Sequence, residues 1–227
     1  MQLFYLSNIN SCKLSGDEFI HCIKVLRKKI NDLINITDGK GNIFSAKING
    51  IDKNTCSINI ISNIKKLKKD KNLHIVIAPT KSFNRMEWMV EKLTEIGVRE
   101  ISFIYSKNSE RKKIKLDRLE KKAISAMKQC NSAFKPIIND IVSFNDFIKK
   151  KLDYKEKFIA QIKAKKLLKN SLNDLKKSIL IIGPEGDFND NEIKIAQSMD
   201  FDLVSLGNNV LRTETAAIVS CSTIIYF

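Results

Sequence analysis

A chain of 227 residues with 43% apolar residues is long and apolar enough to bury a core, which excludes a disordered composition. Its formal net charge of +15 favours a polyanionic partner, with compositional bias toward lysine as the competing source of that charge. Five scattered cysteines without a C-x-x-C pair, and only two histidines, argue against zinc and for reduced, cytosolic thiols. The first residues, MQLFYLSNINSCKLS, lack a basic n-region and a sustained apolar core. The longest apolar stretch, AAIVSCSTIIYF, is too short and too polar to span a membrane. The expectation is a soluble, cytoplasmic protein with no metal and no membrane partner.

QLFYLS reads as a short strand. GDEFIHCIKVLR follows as an amphipathic helix, with Phe19, Ile23 and Leu26 at helical spacing. LINITDGKGNIFSAKI predicts two strands around a D-G-K-G-N turn, and TCSINIIS alternates and continues the sheet. KKLKKDKN, residues 65–72, is charged without an apolar period and reads as a linker, dividing a β-rich domain of residues 1–68 from a domain of residues 69–227. Beyond it, strands and helices alternate. LHIVIAP is a strand, and FNRMEWMVEKLTEIG is a helix with Met86, Val90 and Leu93 along one side and Gly97 as its stop. ISFIYS is a strand. KLDRLEKKAISAMKQC is a helix with an apolar stripe of Leu116, Leu119, Ala123, Met127 and Cys130, and a basic face of Lys115, Arg118, Lys121, Lys122 and Lys128. FIAQI and SILIIG are strands, NEIKIAQSMD a helix, FDLVSLG a strand, and TETAAIVSCSTIIYF an apolar closing helix. Short apolar strands interleaved with helices predict a mostly parallel α/β sheet covered on both faces.

Ligands of such sheets sit beyond the carboxyl ends of the strands. Two strand ends stand out. Gly183-Pro184-Glu185-Gly186 ends an apolar run without the G-K-[S/T] of a P-loop, and no G-x-G-x-x-G occurs in the chain. The glycines permit close backbone approach, and Asn189 with Glu192 fits a capping box for the next helix, although an ordinary strand-to-helix turn explains the loop equally. Asp187, behind the second glycine, tolerates a positive φ better than most residues, and its carboxylate can alternatively act at the start of the following helix. The second end runs Leu206-Gly207-Asn208-Asn209-Val210-Leu211-Arg212-Thr213-Glu214-Thr215. Thr213 is placed to cap the last helix and Glu214 to complement its dipole. Arg212 has the wrong sign for that position, so an anion, or a carboxylate such as Glu185 or Glu214, is expected to pair with it.

GPEG after a strand, followed by LG-x-x-V-LRTETA before a C-terminal helix, resembles the RsmE family of ribosomal RNA methyltransferases, of the SPOUT class. HCIKVLR, KSFNRMEWMVEKLTEIGV, SER at residues 109–111 and AMKQC with Pro136 downstream resemble further family segments, in the same order along nearly the whole chain. Two positions depart from the pattern. Asn131-Ser132 stands where the family usually carries Gly-Arg, and Asp187 where it usually carries a third glycine.

The resemblance implies a PUA-like β-barrel RNA-binding domain, then a domain with a trefoil-knotted, mostly parallel sheet. It implies S-adenosyl-L-methionine as cofactor, a homodimer, and methylation of N3 of one uridine in the decoding region of 16S rRNA within the small ribosomal subunit. Cofactor contacts map to Gln161, Ile182, Gly183, Gly186, Leu206, Gly207, Val210, Leu211, Arg212, Thr213 and Thr215. Arg212 and Arg111 are candidates for stabilising charge or anchoring phosphate, and Glu185 and Glu214 for a base or for orienting an arginine. RNA contacts map to His21, Lys24, Arg27 and Lys28, to Lys81, Arg85, Arg111 and Arg118, and to the basic helix face of residues 112–128. Another RNA site, such as a ribose 2′-OH, and a non-catalytic ribosome binder stay open as alternatives.

Overall fold

The computed structural model describes residues 2–68, 71–173 and 177–226. The chain divides into two compact units, Met1–Lys69 with Ile124–Lys135, and Asp70–Ala123 with Pro136–Phe227.

The first unit holds a five-stranded sheet of β1 (Leu3–Tyr5), β2 (Lys13–Ser15), β3 (Leu33–Thr37), β4 (Asn42–Ile51) and β5 (Thr55–Lys66), in the order β1-β3-β4-β5-β2. The β3–β4 hairpin forms where the turn signal predicts it. Asp38 Oδ1 accepts from the amides of Lys40 at 2.7 Å and Asn42 at 3.2 Å. Gly41, at φ 108°, must be glycine, since a Cβ there would lie 2.6 Å from the Leu67 carbonyl oxygen. Alternate strand residues Ile34 and Ile36, Ala46 and Ile48, and Cys56 and Ile58 pack on Phe4, Leu14, Phe19 and Cys22. The helix expected over residues 16–27 begins as α1 (Gly16–Phe19) and widens into a π-helix over Ile20–Val25, with Leu26 N donating to His21 O at 3.0 Å. Arg27, at φ 53°, ends it in the left-handed region. The widened turn is invisible to a 3.6-residue period.

Lys65 and Lys66 of the expected linker belong to β5, while Lys69 and Asp70 lie outside the described residues.

The second unit is built on six strands, β6 (Asn72–Ile77), β7 (Glu100–Tyr105), β8 (Ile137–Ser143), β9 (Glu156–Ala160), β10 (Lys177–Ile182) and β11 (Asp202–Val204). They pair entirely in parallel, in the order β11-β9-β10-β6-β7-β8. The helices are α2 (Phe83–Ile96), α3 (Leu116–Gln129), which continues beyond this unit, α4 (Phe144–Ile148), α5 (Asp190–Ser198) and α6 (Thr213–Tyr226). Period-two alternation sends Ile75, Ile77, Leu180 and Ile182 to one face, against α2 and α6, and Val76, Ile179 and Ile181 to the other, against α4 and α5. Gly97, at φ 106°, closes α2 as expected. Lys71 Nζ donates to the carbonyls of Ile224 and Ile225 at 2.9 and 3.0 Å, at the negative end of the α6 dipole. Sequence periodicity misses β8, whose apolar pattern is broken by Asn139 and Asp140, and also the short β2 and α4. No described helix is long and apolar enough to cross a membrane.

At the amino ends of the strands, the buried His74 imidazole lies 2.9 Å from Tyr154 Oη and 2.8 Å from Ser102 Oγ. Asn139 Nδ2 extends this network to Glu100 and Ser102, at 2.7 and 2.8 Å. Burial pushes the imidazole down to about 4, against the opposing pull of Glu100. Unfolded, the ring titrates near 6.5, so between these values the unfolded chain takes up a proton that the folded ring refuses. This contribution to stability is complete above the unfolded value and is lost as pH falls toward the folded one. We expect the thermal midpoint to fall from about pH 7 to about pH 4.5 more steeply in the wild type than in His74→Gln. Parallel curves for the two proteins would remove the imidazole as the source.

Candidate active site

The carboxyl ends of β9, β10 and β11 lie side by side, so the segments leaving them meet. After Ile182, the segment 183–187 turns tightly, with Asp187 N donating to Pro184 O at 2.9 Å. A Cβ on Gly183 would lie 3.0 Å from the Phe188 ring, so the backbone is packed directly on an aromatic face. Asp187 adopts the left-handed region at φ 55°. Its Oδ1 accepts from Phe188 N at 2.8 Å, whereas the α5 terminus is closed by a reciprocal Asn189–Glu192 capping box, as expected. The Asp187 carboxylate therefore serves its own turn rather than the helix. Asn108 Nδ2 holds the outer side of the turn, donating to the carbonyls of Gly186 and Asp187 at 3.0 Å each.

The second loop leaves β11 through Ser205, whose hydroxyl donates to Gly207 O at 3.1 Å. Gly207, at φ 133°, takes a conformation that side chains rarely adopt. The expected capping by Thr213 does not occur. Thr213 is the first residue of α6, the first helical turn closes on Arg212 O through Ala216 N at 2.8 Å, and the Thr213 hydroxyl donates across to Gly183 O at 3.3 Å. That bond ties one loop to the other.

Between them opens a cavity. Of the expected cofactor residues, Gln161, Ile182, Gly183, Leu206, Gly207, Val210, Leu211 and Thr213 line it. Gly186, Arg212 and Thr215 do not: Gly186 packs toward Asn108, Thr215 sits in the first turn of α6, and Arg212 is exposed. Ile162, Pro184, Asp187, Ser205, Asn209 and Ala216 also contribute to the lining. The family resemblance maps no contacts to them, although each adjoins a residue to which it does.

The charges are arranged differently from the sequence expectation. Glu185 and Glu214 do not pair with Arg212. Both lie against Arg85 of α2, with Nη1 3.6 Å from Glu185 Oε1 and Nε 3.6 Å from Glu214 Oε1. The cause is helix packing: α6 lies on α2, so the first turn of α6 points Glu214 inward, while Arg212 precedes the helix. The Glu214 side chain is 6% exposed, and its second oxygen, Oε2, is buried without a hydrogen-bond partner among the described residues; the Glu185 side chain is 55% exposed and lines the cavity. Arg212 has no ion pair among the described residues.

Other expected contacts are also engaged within the fold. Arg111 donates from Nε to Thr80 O at 3.1 Å and from Nη2 to Lys81 O, while Lys81 Nζ lies 3.2 Å from Glu110. Arg118 grips Glu87 at 2.8 and 2.9 Å and lies 4.7 Å from the Phe83 ring centroid. Lys122 pairs with Glu91 at 3.1 Å. The basic face of α3 is thus largely neutralised, because α2 presents a row of glutamates to it. In the first unit Lys128 pairs with Glu18 at 2.5 Å. There Lys24 and Arg27 are exposed, Lys28 is half-buried, and the His21 ring lies 5.6 Å from Phe4 with Nδ1 unpartnered among the described residues. The described residues hold no group of three or more His, Cys, Asp or Glu placed to ligate a metal.

Comparison with known proteins gives a consistent result. The family model of the RNA methyltransferase domain matches residues 67–225, and that of the RNA methyltransferase PUA domain matches residues 14–61. Ribosomal RNA small subunit methyltransferase E of Buchnera aphidicola is 32% identical over 225 residues, spanning 96% of this chain and 88% of that protein. The crystal structure of a probable rRNA-methyltransferase from Porphyromonas gingivalis superposes with a TM-score of 0.90 at 38% identity, over 97% of this chain and 95% of that one. The ribosomal RNA small subunit methyltransferase E of Neisseria gonorrhoeae, solved bound to S-adenosyl methionine, gives 0.85 at 25% identity, over 98% of this chain and 95% of that one. With two loops closing one cavity at the carboxyl ends of a parallel sheet, and matches along nearly its whole length, the chain belongs to the RsmE family of ribosomal RNA small subunit methyltransferases.

Proposed function

We propose that this protein methylates N3 of a specific uridine in the decoding region of 16S rRNA, using S-adenosylmethionine, with the small ribosomal subunit as substrate. The observation that carries this reading is the cavity between the loops that follow β10 and β11 in a chain of this family. We read residues 69–227 as the catalytic domain, in the trefoil-knotted form of the sheet, and residues 1–68 as the RNA-binding domain. The protein works as a homodimer in the cytoplasm.

The cavity suits the cofactor. Ile182, Leu206, Val210 and Leu211 offer an apolar wall for a purine, and the glycine backbone at 183 and 207 allows close approach. The absence of a P-loop is consistent with a ligand that carries no phosphate chain. When bound, S-adenosylmethionine supplies a methyl group already activated on a sulfonium, so the protein's part is alignment and handling of the uridine proton.

Uridine N3 carries a proton at neutral pH, and its removal leaves charge on O2 and O4. Arg212, exposed and unpaired beside the cavity, is the group free to face that charge. Arg85 makes this possible by holding both carboxylates that would otherwise neutralise Arg212. The two glutamates then take different roles. Glu185, exposed and lining the cavity, accepts the proton. Glu214, buried and off the cavity wall, anchors Arg85.

A labelled methyl-transfer assay with small subunits and with naked 16S rRNA, followed by nucleoside mass spectrometry, tests the reaction. 3-Methyluridine formed mainly on small subunits is expected; a 2′-O-methylated nucleoside would overturn the assignment. Arg212→Ala should lose on the order of a hundredfold in kcat with little change in cofactor affinity, and a normal rate would remove Arg212 from the chemistry. Arg85→Ala frees two carboxylates, so we expect a loss of roughly tenfold or more in kcat that Arg85→Lys only partly restores, Lys being unable to span both acids as a planar fork. For Asp187→Gly, calorimetry with S-adenosylmethionine should give an affinity within about threefold of wild type, because the turn already takes a glycine-like path.

A further inference from the structure

The described part of the β9–β10 connection is electrostatically one-sided. No Asp or Glu occurs from Lys157 to Asn173, and Lys163, Lys165, Lys166 and Lys169 are all exposed. None of these four lysines is ion-paired among the described residues, in contrast to Arg118 and Lys122 on α3. The segment is also firmly held. Gln161 N donates to Val204 O at 2.9 Å, Ser205 N to Lys166 O at 2.8 Å, and Leu168 N to Ser205 O at 2.9 Å. Leu168 is buried in the core, and the Ser171 hydroxyl donates to Leu167 O at 3.0 Å. Ser205 is itself part of the cavity wall, as are Gln161 and Ile162 at the start of the same segment. The backbone that carries the lysines is therefore pinned to Ser205 of the cavity wall by hydrogen bonds rather than left as a loose tether.

The rim has a second character. Ile162 and Val210 both line the cavity and are 58% and 73% exposed, so its mouth carries an uncovered aliphatic lip. A purely anionic ligand has no use for such a lip. A nucleotide strand has use for both, since an unpaired base presents an apolar face while its phosphates present charge.

We infer that residues 163–169 form the docking surface for the RNA backbone next to the target nucleotide, with Ile162 and Val210 flanking the base as it enters. This rests on the methyltransferase reading and deepens it. The site-proximal RNA path runs along the β9–β10 connection and not along α3, whose charges are already spent on glutamates.

The test replaces Lys163, Lys165, Lys166 and Lys169 together by Gln. A charge-matched control replaces Lys149, Lys150, Lys151 and Lys155, exposed residues near the amino ends of the strands. Binding to purified small ribosomal subunits is measured across KCl concentrations, with calorimetry using S-adenosylmethionine in parallel. With about 0.7 of a counterion released per single-strand phosphate contact, the loop variant should lose roughly 2 to 3 from the slope of log affinity against log salt, and the control much less. Cofactor affinity should stay unchanged, and the four Lys→Arg replacements should retain the wild-type slope. An unchanged slope in the loop variant, or an equal loss in the control, overturns the inference while leaving the methyltransferase reading intact. A wild type that binds no small subunits overturns it as well, and the calorimetric heat then decides whether the cofactor reading stands.

Discussion

Everything at the site depends on bringing two strand-end loops together and keeping them there. A parallel sheet delivers the carboxyl ends of β9, β10 and β11 to one edge, but it does not close the gap between the loops that leave those ends. Two interactions do so: the Thr213 hydroxyl on the Gly183 carbonyl, and Arg85 between Glu185 and Glu214. The first is a single neutral hydrogen bond, contributing about 1 kcal/mol. The second holds a nearly buried carboxylate that would be costly to leave without a cation. Arg85 is thus fixed by α2, and α2 by its core contacts with α6, so the shape of the cavity inherits the stability of the helix pair behind it.

How much of this is legible in the sequence depends on the range of the interaction. Strands and helices with a clean period, from LHIVIAP to the final apolar helix, are readable because burial on a sheet imposes alternation locally. The Asn189–Glu192 capping box and the Gly97 stop are readable for the same reason, since both are made within a few residues of chain. β8 is not, because its Asn139 is satisfied by Glu100 and Ser102 on a neighbouring strand and its Asp140 is exposed. The partner of Glu214 is not readable either. Sequence proximity favours Arg212, two residues away, whereas helix packing delivers Arg85 from 129 positions upstream. Motif order finds the cavity wall well, because loop residues that line a pocket are contiguous in sequence. It places the charges poorly, because ion pairs are settled by tertiary contacts.

Net charge shows the same limit. A formal +15 suggests a diffuse basic surface, yet the basic residues most prominent by helical periodicity, Arg118 and Lys122, are matched by Glu87 and Glu91. Half-exposed pairs of this kind contribute about 0.5 kcal/mol each to stability, but they remove their charges from any long-range field toward RNA. The charge left over for a partner is set by where carboxylates are lacking rather than by where lysines are frequent. On the second unit the β9–β10 connection meets that criterion beside the cavity wall.

Asp187 illustrates how a departure from a family pattern can leave a loop unchanged. A third glycine would reach the left-handed region without cost, whereas an Asp there is strained by roughly 1 kcal/mol. Its own carboxylate offsets part of this by accepting the Phe188 amide, and Asn108 fixes the carbonyls of Gly186 and Asp187. The turn is therefore determined by contacts around it and not by the freedom of one residue. Asp187 lines the cavity, but its carboxylate is turned to its own loop by the Phe188 amide. The strain at Asp187 is thus met locally, by the same bonds that hold the turn, so the residue and the loop path are compatible.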